Sequence, residues 1–426
     1  MLYAVIDPDG NVQDVVPTAE AAVQEASRYS AYVLLEEVPP QPGALADAGA
    51  GLGDLGRVNL NHPQVALRMS GIKPMRLNMR MSLDDAWKAL YPYFPKERFV
   101  KTRKGVLVNQ MVPVRAYDSP SKMAGKLLGQ NYKTAKVDAD YGLATNVKGL
   151  SLVPAQTLKG TVPGFNKVHS CVGASRACIG GCLVYSGHNE IDRYNIAIKQ
   201  ARMIALHREP AAFMRMLAEN IGRHARIRKG VPFIRLNVFS DLPWELICPD
   251  LFAQFPDVRF YDYTKVANRM PAANYDLTFS FSGENQQAVA HELGRDRRIA
   301  VVFVPPRAVL AAKRARGEGL PEKFNVADFG SSLGALPVID GDVSDVRPFD
   351  PPNAAPGGEP PGGPCIVGLR WKIPMGRQEE AFAQAREASF AVPVIEMDGH
   401  LIASTSARLE PIRDADDEDD EAGEDE

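Results

Sequence analysis

The chain has 426 residues, 45% of them apolar and 24% charged, with a formal net charge of −3. That balance is ordinary for a soluble globular protein, and the length suits one large domain with additions or two to three domains. No apolar run approaches the roughly 20 residues of a membrane helix, and MLYAVIDPDG lacks the basic and apolar stretches of a signal peptide, so a cytoplasmic protein with reduced thiols and no membrane partner is expected.

In chain order, residues 1–38 read as a small appendage: LYAVID and AYVLLEEV as strands, with a helix from Thr18 to Ser30 between them. Residues 39–56 are a Pro/Gly/Ala linker with too little bulk to pack. Residues 57–149 form a basic region with 17 Lys or Arg against 6 Asp or Glu. Such asymmetry points to a polyanion partner, a nucleic acid or nucleotide. Lys101, Arg103, Lys104, Lys122, Lys126 and Lys133 are its candidate phosphate contacts. A basic solvated surface explains the charge equally well.

The core is expected over 150–347 and 365–406. Seven short β-rich runs recur there: LSLVP (150–154), FIRLNVF (233–239), VRFYDYT (258–264), YDLTFSF (275–281), IAVVFV (299–304), LPVID (336–340) and CIVGLRW (365–371). Nearly continuous apolar runs suit strands of a parallel sheet buried on both faces. Helical stretches separate several of them: Ile191–His207, Pro210–Ile221, 242–255, 283–294 and 305–317. Strand and helix in alternation predict an α/β fold with a partial or full parallel β/α barrel core, a small N-terminal α+β appendage and a disordered acidic C-terminal tail. An open doubly wound sheet fits the alternation as well. Residues 348–364 are a second Pro/Gly linker. The tail spans 407–426, and its segment Asp414–Glu426 holds ten acidic residues and no basic one. Without those ten the chain carries 49 basic against 42 acidic residues, a net of +7.

Cys171, Cys178 and Cys182 carry the strongest chemical signal, with C-x6-C-x3-C spacing in HSCVGASRACIGGCLVYSGH. Thiolates are soft ligands for zinc and iron–sulfur clusters. Three readings compete: a structural zinc site completed by His169 or His188, a cluster held by three thiolates with one iron open, and free buried cysteines. Cys248 and Cys365 read as core. Polar residues gather at the expected carboxyl ends of the strands, where a β/α barrel keeps its active site: Ser240 and Asp241, Thr264 and Lys265, Ser282, Glu284 and Asn285, Asp340 and Asp342. Taken singly, each has a local explanation as a cap or turn residue.

A cysteine loop after the first core strand and before a long helix resembles the order of elements in radical S-adenosylmethionine enzymes, which implies S-adenosylmethionine as a further cofactor. The spacing differs from their C-x3-C-x2-C. A closer resemblance runs over residues 140–375. CVGASRACIGGCLVY, IRLNVFSDLPWE, FPDVRFYDYTK, YDLTFSFSGEN and VIDGDVSDVRPFD followed by VGLRWK are similar to the phage family called gene product 88. Cys171, Cys178, Cys182, Asp241, Tyr263, Thr264 and Lys265 fall at its motif positions. That resemblance implies a viral or mobile-element origin and a shared site, but no reaction.

The expected function is a phage-encoded metalloenzyme. Its three cysteines would bind an iron–sulfur cluster, with zinc as the alternative. Asp241, Lys265 and Glu284 would be catalytic, and Ser240, Thr264, Ser282, Asn285, Asp340 and Asp342 would hold cofactor or substrate. A zinc-containing base-exchange enzyme of the transglycosylase type, with Asp241 as nucleophile, is the second expectation. A non-enzymatic nucleic-acid-binding accessory protein with a structural metal is the third.

Overall fold

The computed structural model describes residues 3–6, 12–16, 62–103, 106–129, 145–154, 158, 162–165, 168–182, 193–226, 230–304, 319–343, 346–350, 364–371, 390–397, 400–403 and 405. Within them no helix is long and apolar enough to cross a membrane. The Thr18–Ser30 helix, the AYVLLEEV strand, the 305–317 helix, the 39–56 linker, most of the 348–364 linker and the acidic tail lie outside these residues.

In the appendage, β1 (Tyr3–Ile6) pairs antiparallel with β2 (Val12–Val16). The basic region supplies α1 (Pro63–Ser70), α2 (Leu83–Leu90), the ribbon of β3 (Glu97–Arg103) and β4 (Val106–Pro113), and α3 (Pro120–Ala124). Local chemistry sets these helix starts. Ser82 accepts from the Asp85 backbone N–H at 3.0 Å and donates back to its carboxylate at 2.7 Å, a reciprocal cap over the first turn. Pro63 and Pro120 occupy first-turn positions, where the missing N–H costs nothing.

The main sheet begins with β5 (Leu128–Gly129) and β6 (Thr145–Leu150), followed by α4 (Arg176–Gly180), α5 (Arg193–Arg208), α6 (Pro210–Ala225) and β7 (Val231–Arg235). Next come α7 (Trp244–Ile247), α8 (Asp250–Gln254), β8 (Arg259–Thr264), β9 (Tyr275–Ser280), α9 (Gln286–Leu293) and β10 (Ile299–Val304). The remainder is β11 (Lys323–Asn325), β12 (Ala335–Asp340), β13 (Ile366–Arg370), β14 (Ala391–Met397) and β15 (His400–Ala403). The spatial order is β11-β12-β13-β10-β9-β8-β7-β6-β5. From β6 to β12 every neighbour is parallel, while β5 and β11 close the two ends antiparallel. β6 to β10 lie side by side in chain order. At β10 the sheet splits: β9 pairs with its first residues and β14 with Val302–Val304, while β13 runs along it through Phe303. Pairing among the described residues is thus an open path, and a closed barrel is not among its ladders.

Register decides which face each side chain serves, because strand side chains alternate. Ile234, Phe260, Tyr275 and Leu277 share one face and pack with α5, α6, α7 and α8. Phe279, Ile299, Val301 and Phe303 continue that face under α9. In α6, Phe213, Leu217 and Ile221 fall on one face at helical spacing and are buried, and Ala212, Met214, Met216 and Ala218 are buried with them. The helix is therefore wrapped nearly all round rather than half exposed. On the opposite sheet face, Ala177 of α4 meets Val302 and Val304 of β10, with Trp371 and Phe390.

Three expected boundaries move. The first core strand is Thr145–Leu150, and 151–154 leave the ladder. TNVKGL is not an apolar run, and Gly149 sits where a side chain would meet Val238 at 2.6 Å. The second core strand stops at Arg235, because the backbone N–H groups of Leu236 and Asn237 donate to the Asp262 carboxylate (3.2 and 2.8 Å) instead of to a strand. The helix expected over 242–255 breaks into α7 and α8 at Cys248–Pro249, where proline has no N–H to continue a helix.

Candidate functional site

The exits of β6, β7, β8 and β9 come together through one loop. After β6 the chain carries Ser170, whose hydroxyl donates to the Val153 carbonyl (3.2 Å) and whose carbonyl accepts from the Asp241 N–H (2.6 Å). Cys171 follows and donates to the Phe239 carbonyl at 3.5 Å. Gly173 lies flat against Lys265, with a Cβ there meeting Lys265 Cβ and its carbonyl oxygen at 2.7 Å each. Ser175 caps α4 by accepting from the Cys178 N–H (3.1 Å) and reaches across to the Ser282 carbonyl (2.6 Å). The loop is thereby stitched to β7 through Asp241, to β8 through Gly173 and Lys265, and to β9 through Ser282.

Cys171, Cys178 and Cys182 are half-buried thiols in no disulfide, while Cys248 and Cys365 are buried in the core as expected. Burial pushes the Cys171 thiol well up, and Cys182, Asp241 and Cys178 push it further, with Lys265 opposing. Burial alone would lower the Lys265 ammonium. The nearby Cys178, Asp241 and Cys171, with a hydrogen bond to Cys178, outweigh that and raise it. Lys265 is thus the cation among the thiols. Among the described residues no three His, Cys, Asp or Glu side chains stand close enough to hold a metal ion as they are placed. Cys171 and Cys178 face Lys265 and Cys182 stands near Cys171, without forming a closed cage.

Asp241 is braced rather than free. One carboxylate oxygen accepts from the Lys265 backbone N–H at 2.6 Å and the other from Arg269 at 3.3 Å. Arg269, almost wholly buried, holds Glu245 with two hydrogen bonds (2.8 and 2.6 Å) and donates to the Tyr275 hydroxyl (3.1 Å). That hydroxyl donates to Asp262 at 2.8 Å. Burial raises the Asp262 carboxyl to about 7, against the opposing pull of Arg235, the Asn237 N–H, Tyr275 and Arg269. Asn237 completes the floor, its amide oxygen accepting from Ser240, Leu242 and Trp244 at 2.9–3.1 Å.

The remaining expected residues divide. Ser240 is occupied by Asn237. Thr264 accepts from the Val266 N–H at 3.0 Å. Asn285 accepts from the Ser282 N–H (2.8 Å) and donates to the Ser280 carbonyl (3.0 Å). Each of these three makes a hydrogen bond within its own loop. Glu284 is exposed at the rim, within electrostatic reach of Arg176 on α4. Asp340 and Asp342 form a separate cluster two strands beyond β10. Arg370 grips Asp340 with two hydrogen bonds (2.8 and 2.9 Å), and its backbone N–H donates to Asp342 at 2.8 Å. Of the expected phosphate contacts, Lys101 is exposed on the ribbon, Lys122 lies on α3, and Lys126 is exposed just after it. The Arg103 backbone ends β3. Lys104, Lys133 and His188 lie outside the described residues.

Arg269, Glu245, Asn237, Tyr275 and Asp262 were not foreseen as parts of this site. The pairing of a buried Arg with a buried acid 24 residues away leaves no local pattern to read. Gly173 and Ser175 were not foreseen either, and their one signal was a place inside the cysteine loop.

A family model described as gene product 88 matches residues 126–386. No curated protein and no solved structure matches the chain. The resemblance to radical S-adenosylmethionine enzymes gains no support from these comparisons.

Proposed function

The chain belongs to the gene product 88 family, and from that premise we propose that it is a metal-dependent enzyme whose site is the thiol rim over β6 to β9, acting on a nucleotide or nucleic acid. One observation carries the reading: three reduced thiols, the Lys265 ammonium and a braced carboxylate meet at the carboxyl ends of consecutive parallel strands. In open and barrel-like parallel sheets that edge is where ligands bind. The chain-order run β6 to β10, with α5 to α9 packed on one face and the cysteine helix α4 on the other, supports a partial-barrel reading of the core.

Cys171, Cys178 and Cys182 are the ligands in this reading, holding an iron–sulfur cluster, with zinc as the alternative. The donor chemistry suits both, since thiolates are the soft ligands each prefers. Burial, reinforced by Cys182, Asp241 and Cys178 against the pull of Lys265, keeps the Cys171 proton in place, and a bound metal would favour its release. The sulfurs are not caged as placed, so binding requires them to turn inward and Lys265 to release Cys178. Lys265 would then face an anionic group of the substrate, and Glu284 stands at the rim for proton transfer. Asp241 is a positioning residue. Both its oxygens already accept hydrogen bonds, which weighs against the base-exchange alternative that needs it as nucleophile. Phosphate-bearing substrates suit the basic residues of 57–149.

The test is anaerobic purification and reconstitution with ferrous iron and sulfide. Iron, sulfide and zinc content and visible thiolate-to-iron absorbance are then compared between wild type and Cys178→Ala. Iron and sulfide bound by wild type and lost from the variant support the cluster. Zinc at about one per chain with no iron supports the alternative. Neither metal bound by wild type sinks the reading.

A further inference from the structure

We propose that the exposed face of the β3–β4 ribbon is a docking strip for single-stranded nucleic acid, with Phe99 stacking on a base and Lys101 meeting the backbone phosphates. It deepens the nucleic-acid reading above but does not depend on the metal. Register puts Phe99 opposite Met111 and Val106 opposite Arg103, and Lys101 shares their face by strand alternation. Phe99 is 53% exposed, Met111 55% and Val106 64%. Asn109, with φ at 44°, sits in the bulge that offsets the two strands between Val100 and Thr102. On the other face Arg98 stacks over Tyr194 of α5, 5.4 Å from the ring centre, and ties the ribbon to the core. The face bearing Phe99 is left towards solvent.

Charge selects the occupant. Residues 96–115 carry six basic side chains against Glu97 alone. A single strand offers phosphates to the cations and unpaired base faces to Phe99 and Met111, and one strip then satisfies both. The chain's own acidic segment, Asp414–Glu426, matches the charge but has only Ala and Gly besides its acids, so it leaves the apolar pair uncovered. Val106 and Leu107, 64% and 74% exposed, lie at the tip beyond Lys101. A membrane surface would use that apolar tip, so vesicle binding is an outcome of the test, whereas base stacking calls on Phe99 and Met111 in mid-ribbon.

The test measures fluorescence anisotropy of labelled, mixed-sequence single-stranded DNA and RNA and of the matching duplex, titrated with full-length wild type, Phe99→Ala, Met111→Ala and Lys101→Gln over a salt series. All three positions are solvent-facing, and thermal unfolding of each variant checks that it folds. Phe99→Ala is expected to weaken single-strand binding roughly 5- to 150-fold, the loss of one stacked base. Lys101→Gln should lower the salt slope by about 0.7. The DNA and RNA arms show which strand is preferred. Variants that bind like wild type, a wild type that binds duplex more tightly than either strand, or sedimentation with anionic phospholipid vesicles that Phe99→Ala abolishes while oligonucleotide binding persists would each overturn the proposal. Metal content is read on the same samples. A metal-free wild type whose binding still depends on Phe99 supports the strip and sinks only the thiol reading.

Discussion

The two acidic clusters at the carboxyl edge of the sheet look alike in sequence and differ in what they leave free. At β12 and β13, Asp340 is taken up by the Arg370 side chain and Asp342 by its backbone N–H. At β7 and β8, Asp241 is also taken up, but by Arg269 from below and by a backbone N–H, and the Lys265 side chain beside it is turned to the thiols. The first cluster closes on itself. The second spends its buried charges on holding a loop, and that loop carries the three cysteines. An acid at a strand end is therefore read from what it holds in place, since in both clusters its own oxygens are already taken.

Removing the guanidinium under the second cluster should have the largest effect. Arg269→Met leaves Glu245 and Asp241 buried without their cation, and about 3–5 kcal/mol of stability should be lost in urea unfolding. Stability within 1 kcal/mol of wild type (about a fivefold change in the folding constant) would break the contrast. Next comes pH. The Asp262 carboxyl holds its proton up to about 7 in the folded chain against an ordinary 3.8. Its contribution is full below the lower value and is lost as pH rises through the higher one. Stability should fall between those two values by an amount on the order of a few kcal/mol, and Asp262→Asn should flatten that slope. An unchanged slope in the variant would show that another group carries it. Arg370→Met should cost about 2 kcal/mol from the charged hydrogen bonds it makes, and metal content and nucleic-acid binding should not change. Loss of metal in this variant would join the two clusters. The smallest stability effect is expected from Gly173→Ala, about 1 kcal/mol, as the new Cβ pushes the loop off Lys265. Its signature is lower metal occupancy at nearly native stability, and full occupancy would show that the loop's seat on Lys265 is not required.

Much of the strand pattern was legible. Arg259–Thr264, Tyr275–Ser280, Ile299–Val304 and Ile366–Arg370 announce themselves as apolar runs because both faces of a central parallel strand are covered. Thr145–Leu150 was missed for the converse reason. It lies next to the two-residue β5 near the end of the sheet, and its pairing depends on a glycine rather than on bulk. The site was legible as residue types: three closely spaced cysteines and polar residues at strand ends. The roles were not. Ser240, Thr264 and Asn285 read equally well as ligands or as turn residues, and each makes a hydrogen bond within its own turn.

By itself the sequence determined the element types, the parallel character of the core, the cysteine loop's position after the first core strand and the charge asymmetry of residues 57–149. Each of these follows from local periodicity or composition, which a chain carries whatever its fold. Only the tertiary structure decided that Lys265 faces the thiols, that Asp241 is braced by an arginine 28 positions away, that Asp340 and Asp342 are spent on Arg370, and that Phe99 and Met111 share an exposed face. Those outcomes depend on which groups meet after burial. A charge or an aromatic ring acquires its role from the partner it finds or fails to find there, and the partner is set by the packing of distant segments.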